Sequence, residues 1–417
     1  MISIDEALEF VKNCARPLPS QQVKLGEALG LRLGESIIST IDSPPFDKSL
    51  LDGYAVAADD ATSTRRVIEQ VIAGGVPHYA VEPGTTINVM TGAPIPDGAD
   101  AIVKLEDVGL EDVGLEDVGH EDDKRPGEST IQLPKSGIAA GTGILPRGAA
   151  FHVGQEVLTA GRHLSAIDIA LLAEVGRPEL TVTPRPRVAV LPTGNELVEC
   201  GQRVEGGQIC NSNGPMLLAL LESMQALPID LGIGRDDPKV LQPLMQQGLE
   251  ADMLLVTGGV SAGVMDLVPG VLQELGVRQV FHKVRMKPGK PVWFGEYVRE
   301  GQRKLVFGMP GNPVSTLVSF EIFVKPALRV LAGGTFIPPQ SQRGVLTDSI
   351  GHLGKRPTYY PSRIHFGQRK QGLPTVETLP WRGSADLAAL TRANALTVLP
   401  EGNYEYSAGT EVDFLTL

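Results

Sequence analysis

The chain has 417 residues, of which 42% are hydrophobic and 5% aromatic, and it carries a net charge of −12. This length is enough for several domains with separate cores. The acidic balance argues against a nucleic-acid partner, because binding to a phosphate backbone requires a basic surface. The chain has no apolar run of the ~18 residues that a membrane span needs, and its first residues lack the basic start of a secretory signal. We therefore expect a cytoplasmic protein without a membrane partner.

The first predicted element is a helix near the amino terminus, where Ser3 and Glu6 form a capping-box pattern ahead of an apolar run. From about Val56 to Leu145, glycine and proline separate short runs rich in valine, isoleucine and threonine, such as TTINVM and DAIVKL. These runs predict short β-strands in a small module.

Residues 105–123 form an acidic repeat, LEDVGLEDVGLEDVGHEDD, with nine acidic residues and no lysine or arginine. Of the net charge of −12, the rest of the chain therefore carries only −3. A period of five residues matches neither a helix nor a strand. We interpret the repeat as a solvated surface loop.

Residues 188–331 alternate short apolar runs with amphipathic stretches. The apolar runs include VAVLPTG, MLLVTGG and LVFGMPG, and the amphipathic stretches include GPMLLALLESMQAL and PKVLQPLMQQGL. This alternation predicts βαβ units and a parallel sheet covered by helices. Beyond Phe336, runs such as RGVLTDSI and GTEVDFLTL predict a small C-terminal β-domain.

These elements indicate a multidomain α/β fold with a central parallel-sheet domain. The elements place a β-rich module with the acidic loop at 54–145, the α/β domain at 185–333 and the C-terminal β-domain at 334–417.

Polar, glycine-bearing turns follow the apolar runs of the α/β domain. They are TGNE (193–196), RDD (235–237), GGVSAGVMD (258–266) and PGNPVS (310–315). Because the carboxyl ends of parallel strands share one edge of a sheet, we expect these turns to line one crevice. Glycines allow main-chain N–H groups to approach an anion, and the start of a following helix adds a favourable field. The turns therefore predict a site for a phosphate or another oxyanion.

A basic cluster, RMKPGKP, lies at 285–291 between two of these turns. Lys287 and Lys290 are stiffened by prolines and would supply cations to a bound anion. The carboxylates of the turns could hold Mg²⁺, which prefers oxygen ligands and often bridges to substrate phosphates.

Each motif also has an ordinary structural explanation. Asp237-Pro238 and Asn312-Pro313 match the first positions of a helix. Gly258 and Gly259 could simply permit a positive φ in a tight turn. Glu196 could be an exposed loop acid, and the lysines could be solvated surface residues. Four polar turns at consecutive strand ends together favour a shared site.

Six motifs resemble the MoeA family of molybdopterin molybdenumtransferases, which includes the gephyrin E-domain. They occur in order along nearly the whole chain: PPFDKSLLDGYAV (44–56), LPTGNELV (191–198), GRDDP (234–238), TGGVSAGVMD (257–266), KPGKP (287–291) and GMPGNPVS (308–315). The resemblance implies insertion of molybdate into adenylylated molybdopterin, with Mg²⁺-dependent release of AMP. It also implies four domains, because the mixed N-terminal domain with helices (1–53 with 146–184) is interrupted by the inserted β-rich domain (54–145) and followed by the α/β domain (185–333) and the C-terminal β-domain (334–417). It further implies a homodimer with its active sites at the subunit interface, and a molybdopterin adenylyltransferase as the upstream partner.

The resemblance also implies roles for individual residues. Asp52 is similar to an essential acid that projects from the dimer partner, while Glu196, Asp236, Asp237 and Asp266 are similar to acids lining the same cleft. Glu196 and Asp266 are the implied metal ligands. The implied substrate- or anion-binding residues are Thr193, Gly194, Gly258, Gly259, Ser261, Gly263, Lys287, Lys290, Pro310, Gly311, Asn312 and Ser315.

The chain departs from the family pattern between the β-rich domain and the α/β domain. The family has a glycine, a glutamate and an aspartate there, whereas this chain has Gly148, Ala149 and Ala150. Three hypotheses follow. The chain is an active molybdenumtransferase, a catalytically impaired relative that binds molybdopterin or its cofactor as a carrier or scaffold, or a phosphate-binding α/β protein with other chemistry.

Overall fold

The computed structural model describes residues 1–111, 129–134, 137–260, 267–370 and 372–417. The chain forms two compact units. One consists of Met1–Gly34, Gly161–Ile169 and Pro178–Leu417, and the other of Glu35–Ala160 and Ala170–Arg177. The four-domain division remains a prediction. Most of the predicted acidic loop, from residue 112 onward, lies outside the described residues. Within its described part, Gly109–Glu111 form a short strand paired with Thr130–Gln132, so the prediction of a loop is wrong there.

The amino-terminal helix begins as the sequence predicts. Ser3 Oγ accepts a hydrogen bond from Glu6 N at 3.1 Å, and Glu6 Oε2 accepts one from Ser3 N at 2.7 Å, which confirms the capping box. A π-helical turn, Phe320–Val324, connects two later helices. The α-helices of the described residues are α1 (Ile4–Cys14), α2 (Ala166–Glu174), α3 (Asn213–Ser223), α4 (Pro238–Gly248), α5 (Val268–Glu274), α6 (Pro313–Ser319), α7 (Lys325–Leu331) and α8 (Leu387–Arg392).

The strands that precede the α/β region are short. They are β1 (Gln21–Lys24), β2 (Arg32–Leu33), β3 (Ile37–Ile38), β4 (Lys48–Ser49), β5 (Gly53–Val56), β6 (Thr64–Val71), β7 (Thr85–Val89), β8 (Ala101–Lys104), β9 (Gly109–Glu111), β10 (Thr130–Gln132), β11 (Ile144–Leu145), β12 (Glu156–Leu158) and β13 (Glu179–Thr183). The second unit contains a six-stranded sheet in the order β8-β5-β7-β6-β10-β9. The prediction of short strands between residues 56 and 145 is therefore confirmed.

The α/β region contains β14 (Arg187–Pro192), β15 (Leu197–Val198), β16 (Ile209–Cys210), β17 (Leu227–Asp230), β18 (Met253–Thr257), β19 (Arg278–His282), β20 (Trp293–Arg299) and β21 (Gln302–Met309). Its main sheet has the order β17-β14-β18-β21-β20-β19, and the first four strands are parallel, as predicted. The last two strands are antiparallel, which the sequence analysis did not predict. The tight turn at Glu300 and Gly301, both with positive φ, permits only an antiparallel pairing of β20 with β21.

Helices cover both faces of this sheet. On β18, Met253 and Leu255 belong to the core that contains side chains of α1, α3, α6 and α7. Leu254 and Val256 belong to the opposite core, with side chains of α4 and α5. All four side chains are buried, and burial of one such side chain contributes about 1.5–3 kcal/mol. The strand ends are therefore fixed by packing on two sides.

The C-terminal strands form a small closed barrel. The strands are β22 (Gln342–Leu346), β23 (Ile350–Gly354), β24 (Thr358–Lys370), β25 (Leu373–Thr378), β26 (Ala395–Leu399), β27 (Gly402–Tyr406) and β28 (Glu411–Thr416). The barrel has the order β22-β25-β24-β26-β28, and β23 pairs with β27 beside it. Across the described part of the chain, no helix combines the length and apolar character needed to cross a membrane.

Candidate active site

The carboxyl ends of three central parallel strands lie level on one edge of the sheet. Pro192 of β14 is paired with Thr257 of β18, and Thr257 is paired with Met309 of β21. The turns after these strands therefore start side by side, as the sequence analysis expected.

Glycine allows two of these turns to pack closely. Gly258 has a φ of +90°, and a Cβ there would lie 2.3 Å from the carbonyl oxygen of Thr193. Gly258 N donates to Met309 O at 3.0 Å, and Gly194 N donates to Gly234 O at 3.1 Å. These two amides are already paired with main-chain carbonyls, so they are not the anion donors that the sequence analysis expected. Gly258 instead permits close approach of neighbouring turns, whereas a Cβ at Gly194 would lie 2.4 Å from the Glu196 carboxylate of the same turn.

The turn after β14 is held by residues of the GRDDP motif. Arg235 Nη1 donates to the main-chain carbonyls of residues 194, 195 and 197, at 3.4, 3.0 and 2.9 Å. Asp236 Oδ2 accepts from Asn195 N at 3.2 Å, and Asn195 Oδ1 accepts from Asp236 N at 3.1 Å. Glu196, within the same turn, is exposed, and its carboxylate has no hydrogen-bond donor in the described ranges. Arg235 and Asp236 therefore position the turn that presents Glu196.

Asp237 has a structural role in the described chain. Its Oδ1 accepts from Lys239 N at 2.9 Å, and Pro238 is the first residue of α4. The ordinary explanation, that Asp237 is a helix cap, therefore applies. Three other predicted site residues, Ser261, Gly263 and Asp266, lie outside the described residues.

A cavity of about 450 Å³ opens beside Glu196, and we call it the carboxylate cavity. Asn213, one of its lining residues, donates from Nδ2 to Gly311 O at 2.6 Å. Asn213 is only 7% exposed, and its buried Oδ1 has no hydrogen-bond partner in the described chain. A buried acceptor without a donor is destabilising by about 1–3 kcal/mol. This oxygen is therefore suited to accept a hydrogen bond from a ligand.

The carboxylate cavity contains several predicted site residues and some that the sequence analysis missed. The predicted ones are Thr193, Glu196, Gly311 and Asn312, and the missed ones include Asn211 and Asn213. The signal that could have found them is the NSN sequence at 211–213, which runs into the first residue of α3.

A second cavity, of about 680 Å³, contains the predicted basic cluster, and we call it the cation cavity. Asn312 lines both cavities, so they adjoin. The predicted residues of the cation cavity are Lys287, Lys290, Pro310, Asn312 and Ser315. The missed residues include His352, Arg356, Arg382 and Ser384.

The missed residues come from the C-terminal part of the chain, which forms hydrogen bonds with the basic cluster and with Asn312. Lys287 N donates to Pro357 O at 2.9 Å, and Arg356 Nη1 donates to Met286 O at 2.9 Å. Asn312 Nδ2 donates to Ser384 Oγ at 2.9 Å. These contacts join residues about 70 positions apart in sequence. The C-terminal part of the chain thus completes the cation cavity.

Charge is divided between the two cavities. Lysine and arginine side chains line the cation cavity, whereas Glu196 lines the carboxylate cavity. In the ranges that the structure describes, no three His, Cys, Asp or Glu side chains group closely enough to hold a metal ion. Mg²⁺ often takes only one or two protein carboxylates and completes its shell with water and substrate phosphates. Glu196 fits that mode of binding.

Asp52 belongs to the other compact unit. Its Oδ1 accepts from Thr91 N at 2.6 Å and from Thr91 Oγ1 at 2.8 Å. The hydrogen bond from the Thr91 amide, followed by that from its hydroxyl, lowers the pKa of Asp52 below the ordinary 3.8. The exposed side chain is therefore an anion at neutral pH.

The alanines that replace the expected acids lie in the same unit as Asp52. Ala149 and Ala150 are both exposed, and Ala150 N donates to Ser43 O at 2.9 Å. The adjacent Arg147 donates from Nε to Asp42 Oδ2 at 2.6 Å. The surface at 149 and 150 therefore has space for larger side chains.

Family models match most of the chain. The description "MoeA N-terminal region (domain I and II)" matches residues 2–176, "Probable molybdopterin binding domain" matches 189–330, and "MoeA C-terminal region (domain IV)" matches 343–417.

Curated relatives and solved structures are similar along the full length. A protein of Nostoc sp. named molybdopterin molybdenumtransferase is 33% identical, with 100% of this chain and 94% of the relative covered. A protein of Staphylococcus aureus with the same name is 31% identical, with 99% and 95% covered. A crystal structure of a molybdopterin biosynthesis MoeA protein from Pyrococcus horikoshii OT3 is 30% identical, with a TM-score of 0.74 and complete coverage of both chains. Another MoeA structure from that species has a TM-score of 0.79 at 28% identity, with 100% and 99% covered.

Proposed function

The chain belongs to the MoeA family, and on this premise we propose that it inserts molybdate into adenylylated molybdopterin and releases AMP. The observation that carries the proposal is the junction of two cavities of different charge at Asn312. One offers cations to a tetrahedral dianion. The other offers a carboxylate and hydrogen-bonding groups to a nucleotide.

The cation cavity is suited to molybdate. Lys287, Lys290, Arg356 and Arg382 can offset the two negative charges of the ion, and the Ser315 hydroxyl can donate a hydrogen bond to one of its oxygens. Their positions on separate segments would surround the ion with donors. The positive field would also draw molybdate toward the site.

The carboxylate cavity is suited to the pterin nucleotide. The unpaired Asn213 Oδ1 can accept from an amino or ring N–H group, and both pterin and adenine have such donors. Within the described chain, the N–H groups of Gly311 and Asn312 have no acceptor, so they can donate to a phosphate oxygen. This arrangement would hold the adenylyl phosphate next to the molybdate site.

Glu196 would hold Mg²⁺ together with Asp266, which lies outside the described residues. When bound, Mg²⁺ would offset negative charge on the substrate phosphate. Arg235 and Asp236 would act indirectly, by fixing the turn that presents the Glu196 carboxylate.

We further propose a cytoplasmic homodimer in which the partner subunit's Asp52 completes each site. The lowered pKa of Asp52 keeps it ionised over the physiological pH range, as an acid next to a metal and a phosphate must be. A molybdopterin adenylyltransferase would supply the adenylylated substrate.

Ala149 and Ala150 favour one alternative, a catalytically impaired relative that binds molybdopterin or its cofactor as a carrier or scaffold.

An assay of AMP release distinguishes the two functions, with purified protein, adenylylated molybdopterin, molybdate and Mg²⁺. We expect AMP release that requires both molybdate and Mg²⁺. Tight binding of the nucleotide without AMP release would support the alternative. If the protein neither bound the nucleotide nor released AMP, both functions would be contradicted, and a phosphate-binding protein with other chemistry would be favoured.

A further inference from the structure

A cavity of about 940 Å³ lies at the opposite edge of the sheet, where the parallel strands begin. It is lined by Arg187 at the start of β14, Leu227 at the start of β17, Asp252 directly before β18 and Lys304 near the start of β21. Part of the segment 16–31 forms another wall. We call it the amino-edge cavity, and the proposed function makes no use of it.

Positive charge predominates in the amino-edge cavity. Its basic side chains are Arg16, Arg185, Arg187, Arg303 and Lys304, whereas its acidic side chains are Glu27 and Asp252. This excess is unusual in a chain with a net charge of −12. A local cationic surface in an acidic protein attracts anions.

Three of these cations are oriented by main-chain carbonyls. Arg16 Nη1 donates to Ala15 O at 2.7 Å, Arg185 Nη2 donates to Leu29 O at 3.3 Å, and Lys304 Nζ donates to Ala251 O at 2.8 Å. No carboxylate of the described residues forms an ion pair with these three side chains or with Arg187. The protein therefore neutralises none of these four charges with an ion pair among the described residues, and hydrogen bonds position three of them.

Apolar residues form much of the remaining wall. Leu18, Val23 and Leu31 are buried or half-buried, and Leu227 is exposed at the rim. Leu18 N donates to Leu331 O at 3.0 Å, which fixes this segment to the end of α7. The volume lies in the range of small-molecule sites, roughly 300–1,000 Å³. A ligand would therefore need both an apolar body and an anionic group.

We propose that the amino-edge cavity binds an organic anion of nucleotide size, separately from the reaction proposed above. Arg185 and Arg187 hold its anionic group, because residues two apart in an extended segment point to the same side and a guanidinium matches a phosphate or carboxylate. The apolar or planar body of the ligand lies against Leu18 and Val23. This binding does not depend on molybdate, Mg²⁺ or the cation cavity.

The test is a fluorescence titration of the full chain with N-methylanthraniloyl-ADP, an aromatic nucleotide anion. We expect saturable binding that the double variant Arg185→Gln/Arg187→Gln weakens about tenfold or more, because two charge-assisted hydrogen bonds are lost. The matched control Arg66→Gln/Arg203→Gln removes two exposed cations elsewhere and should stay within about twofold. Arg187→Lys, which keeps the charge, should bind more tightly than Arg187→Gln.

Three results would overturn the proposal. The first is the absence of saturable binding to the wild type, and the second is unchanged binding to the Arg185→Gln/Arg187→Gln variant. The third is loss of all binding in Lys290→Gln, which would place the probe in the cation cavity.

Light scattering on the same samples must show an unchanged mass, because a mass change in the double variant would mean that this surface is a contact between copies. The unfolding midpoint of each variant must match that of the wild type. All the substituted arginines are exposed; Arg185 donates to the Leu29 carbonyl and Arg203 pairs with the exposed Glu205, and such surface contacts contribute little to stability. Where Arg185→Gln/Arg187→Gln fails this check, the comparison of Arg187→Lys with Arg187→Gln decides.

Discussion

Gly258 and Thr193 lie so close that a side chain at position 258 would collide with the main chain at position 193. The Cβ would be 2.3 Å from the Thr193 carbonyl oxygen and 3.0 Å from its Oγ1. The φ of Gly258, +90°, also disfavours any other residue. The relative position of the turns after β14 and β18 therefore depends on this glycine.

We expect Gly258→Ala to lower the free energy of unfolding by about 2–3 kcal/mol, from backbone strain and the collision with a carbonyl that cannot move freely. Chemical denaturation measures this change. The control is Gly270→Ala in α5, where a Cβ has nothing within 4 Å. It should be neutral or stabilising by about 0.5–1 kcal/mol, because alanine favours a helix. Equal effects of the two substitutions would contradict the argument.

Asp52→Asn should reduce the rate of AMP release by about 100-fold or more, because the carboxylate charge is lost from a group proposed to act in the chemistry. The dissociation constant of adenylylated molybdopterin, measured by calorimetry, should change less than twofold. Asp59→Asn, an exposed acid of the same unit, serves as the control and should retain full turnover. Parallel loss of binding and turnover in Asp52→Asn would instead indicate a structural role.

Lys290→Glu should weaken tungstate or molybdate binding at least tenfold, because a cation of the cation cavity becomes an anion. Lys290→Gln should have a smaller effect in the same direction. The control is Lys24→Glu, an exposed residue of β1. An unchanged dissociation constant in Lys290→Glu, measured by calorimetry, would remove this residue from the site.

The paired substitution Ala149→Glu/Ala150→Asp restores the two acids of the family pattern. Both positions are exposed, so stability should change by no more than about 0.5 kcal/mol. If the native chain is catalytically impaired, the rate of AMP release should rise; if it is fully active, the rate should not increase. We expect no increase, in line with the proposed function. A rise of tenfold or more would favour the impaired relative.

The lowered pKa of His352 predicts that the free energy of unfolding depends on pH. Burial, followed by repulsion from Lys287, lowers its pKa below 6.5 in the folded chain. The unfolded chain therefore binds the proton more readily, so the free energy of unfolding should decrease as the pH falls below 6.5 toward the pKa of the folded state. His352→Gln should reduce this decrease in denaturation experiments at a series of pH values. The same pH dependence in variant and wild type would exclude His352 as a source.

The local part of the candidate site was predictable from sequence. The alternation of apolar runs and amphipathic stretches indicated the parallel strands, and each polar turn follows one of those strands. Thr193, Glu196, Gly311 and Asn312 accordingly lie around one cavity. The use of Asp237 as a helix cap was one of two explanations that the sequence left open.

Other features could not be read from the sequence, because they depend on contacts between distant segments. Arg356 and Ser384 carry no local motif, and they join the basic cluster only through the packing of the C-terminal part of the chain. The unpaired Oδ1 of Asn213 can be recognised only from the structure, because there the Nδ2 of the same side chain donates to the Gly311 carbonyl and Oδ1 has no donor. Pairing of the Gly194 and Gly258 amides likewise depends on other segments, which supply the carbonyls of Gly234 and Met309.

By itself, the sequence determined the type of each segment and the chemistry available at each strand end, because the periodicity of apolar residues and the conformational range of glycine and proline are local properties. Only the tertiary structure decided which of those groups remain free to bind a ligand. Whether a hydrogen-bonding group is free depends on which partners lie next to it, and here those partners come from elsewhere in the chain.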